Sequence, residues 1–191
     1  ATGTIKNMVT RCTESLKDTY EQIRLKMITL GLIHCDETGS RVDGKTCWVH
    51  VASDQNYTYL TINQKRGQAG MDAANVLPHA NGIIMHDCWS SYWKYQNVTH
   101  AICCAHLLRE LNGVIENHPE QTWAVRFKKL LLDMKKVRDK ALLLDKDEVS
   151  YYHRHKFDME YDSIIKTAYG ENPFPETPAK KRGRKKKSKV L

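Results

Sequence analysis

The stretch from residue 32 to residue 63 constrains the fold more than any other part of this chain. Three short runs rich in β-branched and aromatic residues follow one another there, with only turns between them. The first run, 32–36, is apolar and finishes on Asp36. In the second, 46–52, Cys47, Val49 and Val51 alternate with Trp48 and His50. In the third, 57–63, Tyr57, Tyr59 and Thr61 alternate with Thr58, Leu60 and Ile62. Period-two alternation is the signature of a strand with one face buried. Asp43-Gly44 and Ser53-Asp54-Gln55-Asn56 supply the chain reversals. Connections this short join antiparallel neighbours, so the segment reads as a three-stranded meander.

Around it the periodicity changes. Ile5, Val9, Cys12, Leu16, Thr19, Ile23, Met27 and Leu30 recur at spacings of four and three, an apolar stripe along one helix over 4–30 that Gly31 stops. Residues 67–77 read as a short helix closing at Pro78. "GIIMHDCW", 82–89, is a compact apolar strand carrying Asp87 at its end, and a fifth strand follows at 98–103. From "AHLLRELNGVIENH" onward the period is helical. Trp123, Phe127, Leu130, Met134, Val137, Ala141 and Leu144 form one seam, and Phe157, Tyr161, Ile164 and Ala168 form a second within 147–169. Two such seams pair as an antiparallel helical hairpin.

Three meander strands followed by strands in α/β crossovers predict a mixed five-stranded sheet flanked by helices, the strand order of a ribonuclease-H-like fold, with a helical insertion after the fifth strand. The predicted organisation is an amphipathic helix over 1–31, a ribonuclease-H-like core over 32–117, a helical hairpin over 118–169, and a Pro-rich and basic tail over 170–191.

The net charge of +8 has a local origin. "KKRGRKKKSK", 180–189, holds eight basic residues, and without them the remaining Lys and Arg equal the 22 acids. Runs of like charge stay extended until a polyanion neutralises them. A solvated linker and a nucleic-acid contact through Lys180, Lys181, Arg182, Arg184, Lys185, Lys186 and Lys187 are both open on this evidence. No apolar stretch approaches the roughly 20 residues of a membrane span, and no signal-peptide pattern opens the chain. The six cysteines show no CxxC pair, which reads as mostly buried thiols in a reducing cytoplasm. The first residue is not Met, which suggests a piece of a longer protein.

The predicted order places the first and fourth strands side by side, with Asp36 and Asp87 at their ends. Two carboxylates at one rim of adjacent strands suit Mg²⁺ or Mn²⁺, which prefer hard oxygen donors. Two such ions roughly 4 Å apart would serve in-line phosphoryl transfer. An aspartate at a strand end is also an ordinary turn former or helix cap, and only the pairing favours the metal.

"HCDETGSRVDGKTCWVHVASDQNYTYL", "KRGQAGMDAANVLPHANGIIMHDCWSSYWKY" and "THAICCAHLLREL" together resemble the insertion-sequence family 66 transposases, which are DDE-type, in continuous register from about 33 to 112. The resemblance implies a DNA transposase catalytic core, with Asp36 and Asp87 as its first two catalytic and metal-binding acids. It implies DNA as the partner, a homo-oligomer in the full-length protein, no membrane, and a bacterial, nucleoid-associated location. His106, Arg109 and Glu110 match the family's signature after the fifth strand. The family's third acid, a Glu in an Asn-Asn-x-x-Glu-Arg helix, does not occur in these residues. The chain therefore resembles the central piece of such an enzyme, with an incomplete two-metal site and little activity expected alone. Glu110 reads as a helix-surface acid rather than a substitute.

Lys65 and Arg66, and His106 and Arg109, are further candidates for DNA phosphate contact. His86, Cys88, His100, Cys103, Cys104 and His106 form a Cys/His-rich set, but adjacent Cys103 and Cys104 point to opposite faces of a strand and cannot easily join one zinc site. Two rival functions are a non-catalytic DNA-binding remnant of a mobile element and a ribonuclease-H-like nuclease unrelated to transposition.

Overall fold

The computed structural model describes residues 2–173, so the basic run at 180–189 lies outside the described residues. Two compact units divide between Cys103 and Cys104.

The first unit contains α1 (Thr2–Thr29), β1 (Leu32–Val42), β2 (Lys45–Ser53), β3 (Thr58–Asn63), α2 (Gln68–Ala73), β4 (Ile83–His86) and β5 (Thr99–Ile102). The strands form one sheet in the order β3-β2-β1-β4-β5. β1, β2 and β3 pair antiparallel, while β4 and β5 run parallel to β1. This is the mixed five-stranded, ribonuclease-H-like arrangement expected from the sequence.

Alternation decides which side chains go inside. Ile33, Cys35 and Glu37 of β1 are buried, as are Ala52 of β2, Tyr59 of β3 and Ile84 of β4. Ile33 and Ile84 are register partners, and fully burying each contributes roughly 1.5–3 kcal/mol. Met27 of α1 closes this core, and the Tyr20 hydroxyl donates to the Leu60 carbonyl at 2.8 Å. The apolar stripe of α1 continues past this anchor, with Ile5, Val9 and Leu16 exposed.

Three elements differ from the sequence expectation in extent. β1 runs on to Val42 instead of ending at Asp36, because its second half pairs with β2 as far as Val42↔Lys45. Asp43 and Gly44 then turn the chain, both at positive φ. α2 stops at Ala73, and Asn75, at φ 55°, takes the chain out of helical geometry well before Pro78. α5 begins at Tyr151 rather than at 147, after Asp145 at φ 53°.

One buried carboxylate ties β1 to the segments around it. The Glu37 side chain is 1% exposed. Its Oε1 accepts from Arg66 Nε at 2.9 Å and pairs with Arg66 Nη2 at 2.8 Å, while Oε2 accepts from the Tyr92 hydroxyl at 2.6 Å. The Arg66 guanidinium lies 4.8 Å from the Trp48 ring and 4.1 Å from the Trp89 ring, between two cation–π partners. Burial, then the bond to Glu37, pushes the Tyr92 hydroxyl far above its ordinary range, so it stays a donor. Three elements distant in sequence thus converge on one acid.

The second unit consists of α3 (Cys104–Asn117), α4 (Thr122–Leu143) and α5 (Tyr151–Glu171). Leu111 and Val114 of α3, Trp123, Ala124 and Leu130 of α4, and Ile164 and Ala168 of α5 share one core, so α3 groups with the hairpin. α4 and α5 run antiparallel, with Arg126 near the start of one reaching Ser163 and Thr167 near the end of the other.

Two stability predictions follow from this packing. Arg66→Leu leaves the Glu37 charge buried with one partner, and should lower unfolding free energy in urea by about 2 kcal/mol; the double variant with Glu37→Gln should recover part of that loss. Gly70→Ala should cost about 2–3 kcal/mol, because the added methyl would stand 2.0 Å from the Lys65 carbonyl oxygen and 2.5 Å from His50 Nε2. The backbone atom cannot step aside cheaply. Wild-type midpoints for either single variant would refute the corresponding packing argument.

Candidate active site

The parallel pairing of β1 with β4 sets Leu32 against Ile83, Ile33 against Ile84 and His34 against Met85. Asp36 and Asp87 each stand two residues beyond the last of these pairs, Asp87 directly after the end of β4. Both strands bury the flanking odd or even set: Cys35 and Glu37 on β1, Ile84 and His86 on β4. Asp36 is exposed and Asp87 half-buried. Alternation turns Asp36 away from the core that receives Cys35 and Glu37.

Each aspartate fixes itself with one oxygen. Asp36 Oδ1 accepts from the Glu37 amide at 2.9 Å, and Asp87 Oδ1 accepts from the Trp89 amide at 3.0 Å. The second oxygen of each carboxylate is left without a hydrogen bond among the described residues. The donor set is two hard oxygens, which suits Mg²⁺ or Mn²⁺. An ion of this kind commonly takes one or two protein carboxylates and fills its remaining positions with water or substrate phosphate. No group of three or more His, Cys, Asp or Glu side chains placed to hold a metal occurs among the described residues. The Cys/His-rich set accordingly does not assemble into a zinc site there.

A row of imidazoles lies beneath Asp87. His86, 1% exposed, faces its own neighbour's carbonyl, that of Asp87, through Nδ1 and His100 Nδ1 through Nε2 at 2.9 Å; His100 Nε2 in turn meets the Tyr95 carbonyl at 3.0 Å. Both ends of the row are carbonyl oxygens, which only accept. Burial, above all, holds His86 below the ordinary imidazole range; the nearby His100 adds to this and the Asp87 carbonyl opposes it. Tyr92 and Trp93 pack on the His86 ring, at 4.5 and 5.2 Å between centroids. Next to Asp36, burial pushes the Cys35 thiol up to about 12, with the charges of Glu37 and Asp36 adding to the effect. A thiol held this firmly protonated is a packing group, not a nucleophile.

The other candidates from the sequence lie on other elements. Lys65 is exposed in the connection after β3. Arg66 beside it is engaged by Glu37 and two indole rings, which leaves only Nη1 uncommitted. His106 and Arg109 belong to α3, in the second unit. His106 is half-buried and its Nδ1 lacks a hydrogen-bond partner, while Arg109 is exposed and forms no ion pair with Glu110 among the described residues. Glu37, the acid that anchors the site from below, was absent from the sequence reading. Its signal was available, since a residue next to an outward Asp36 must point inward.

No curated protein matches the chain. Among solved structures, it is similar to the HTLV-2 integrase catalytic core domain in complex with magnesium. The dimeric form matches at 14% identity and a TM-score of 0.33, over 47% of this chain and 74% of that one. The trimeric form matches at 14% identity and a TM-score of 0.32, over 78% and 88%. A simian T-cell lymphotropic virus intasome in complex with PP2A regulatory subunit B56 gamma matches at 13% identity and a TM-score of 0.32, over 46% and 42%. The family model described as Transposase IS66 family matches residues 1–189. Its match spans nearly the whole sequence, and the chain belongs to that family of DDE-type transposases.

Proposed function

We propose that this chain provides the catalytic core for DNA strand cleavage and strand transfer, with Asp36 and Asp87 holding Mg²⁺ or Mn²⁺ at one rim of the sheet. The observation that supports the reading is the β1–β4 register, in which Asp36 and Asp87 each follow the His34–Met85 pair by two residues. When bound, the ions supply activation of an attacking hydroxyl and stabilisation of the departing 3′ oxygen. The chain's own residues supply position. The buried alternation of β1 and β4 fixes where the carboxylates emerge, and the Glu37–Arg66–Tyr92 cluster holds β1 from the opposite face.

DNA contacts are assigned to Lys65, His106, Arg109 and the basic run Lys180, Lys181, Arg182, Arg184, Lys185, Lys186 and Lys187. The uncommitted Nη1 of Arg66 is a weaker member of that set. An assembly of several copies on DNA in the bacterial cytoplasm, close to the nucleoid, fits an enzyme that acts on two transposon ends. These 191 residues contain no Asn-Asn-x-x-Glu-Arg acid. We accordingly infer weak cation binding and little strand transfer by this chain alone.

A second reading, a non-catalytic DNA-binding element, draws on the absence of any three-ligand metal group among the described residues. It predicts salt-dependent DNA binding indifferent to Mg²⁺. Calorimetric titration with Mn²⁺ separates the two. Asp36→Asn and Asp87→Asn should each weaken binding by tenfold or more, as expected when a carboxylate ligand of a weak site is neutralised. Unchanged affinity in both variants would sink the catalytic reading and leave the binding element.

A further inference from the structure

We propose that the groove between α4 and α5 is a binding surface for single-stranded DNA, with Tyr151 and Tyr152 as base-stacking platforms and Lys156 as a phosphate contact. The inference rests on the reading of DNA as this chain's substrate, and assigns to the helical unit a contact with it.

Charge is the first observation. α4 carries seven Lys and Arg against two Asp. Each of those aspartates is shared between two cations, Asp133 by Lys129 at 2.6 Å and Lys136 at 3.4 Å, and Asp139 by Lys135 and Arg138. Neither pairing removes the positive excess. Lys128 and Lys140 form no ion pair among the described residues. The groove itself, about 490 Å³, is lined by Arg126 of α4 and by Tyr152, His155, Lys156, Met159 and Ser163 of α5. A contiguous hollow of about 280 Å³ adds Lys129 and Lys136, and Lys156 borders both. The facing acids are Asp133, already shared, and Glu160, which stands 3.8 Å from Arg126. Arg126, Lys129, Lys136 and Lys156 therefore outnumber the acids two to one. Lys156 has no ion-pair partner among the described residues.

Exposed aromatic surface is the second, independent observation. Tyr151 is 74% and Tyr152 70% exposed, side by side at the start of α5. The Tyr151 ring stacks on His155, 5.8 Å between centroids and 3° between planes. Two exposed rings close in sequence to Lys156 match the needs of unpaired bases, which stack on aromatic rings while their phosphates meet Lys and Arg. Paired bases in a duplex already have both faces covered, so the tyrosines offer a duplex little. A second copy of this chain would bring the same positive ridge and be repelled.

The test uses the full chain with Lys180, Lys181, Arg182, Arg184, Lys185, Lys186 and Lys187 each changed to Ser, so that the basic run does not dominate binding. Fluorescence anisotropy with a labelled oligo-dT and a blunt duplex of equal length is read in EDTA across a salt series. Without divalent ions, the outcome is independent of whether Asp36 and Asp87 hold metal. Tyr151→Ala with Tyr152→Ala should weaken oligo-dT binding by about tenfold or more, and duplex binding by less than about twofold. The corresponding Phe pair should bind like the parent, since stacking needs the ring and not the hydroxyl. Lys156→Glu should weaken both ligands and lower the slope of log affinity against log salt by about one. The proposal is overturned if the parent fails to bind oligo-dT, if the Ala pair binds it unchanged, or if the Lys156 variant keeps the parent's salt slope.

Discussion

Two adjacent acids on one strand cannot face the same way, and much of this structure follows from that constraint. For Asp36 to emerge from the sheet, Glu37 must enter the core. A lone buried carboxylate is strongly unfavourable, so the fold has to bring donors to it. Arg66 comes from the connection after β3 and Tyr92 from the single 3-10 turn after β4. Trp48 and Trp89 flank the guanidinium at 4.8 and 4.1 Å. The outward carboxylate is thus positioned by an inward one. The same segment that brings Arg66 packs Gly70 against the Lys65 carbonyl and His50, with no room for a side chain.

The parallel register then does for Asp87 what alternation does for Asp36. Ile33 and Ile84 meet in the core as partners, and the chain positions of the two aspartates relative to that pair are equal. A one-residue slip in either strand would turn its apolar set outward, so the apolar core enforces the alignment of the acids.

Much of this was legible in the sequence because the signals are local. The alternation of 46–52 and 57–63, the Asp43-Gly44 turn and the compact run before Asp87 report the sheet. The second half of β1 was not legible: Gly39, Ser40 and Arg41 carry no apolar alternation, and they are strand only because β2 pairs with them, Trp48 packing 3.7 Å from where a Gly39 side chain would begin. The end of α2 depends on a left-handed Asn75, which helical periodicity does not report. Glu37 and Arg66 are 29 residues apart, and nothing short of the fold pairs them. The grouping of α3 with the hairpin likewise depends on Leu111 and Val114 choosing Trp123 and Ile164 as neighbours.

Substoichiometric Mn²⁺ reads whether Asp36 and Asp87 hold a cation, without any assumption about catalysis. In an amide NMR spectrum of the assigned chain, paramagnetic broadening should appear first at residues near Asp36 and Asp87. Broadening that begins elsewhere, or that is uniform along the chain, would contradict the account.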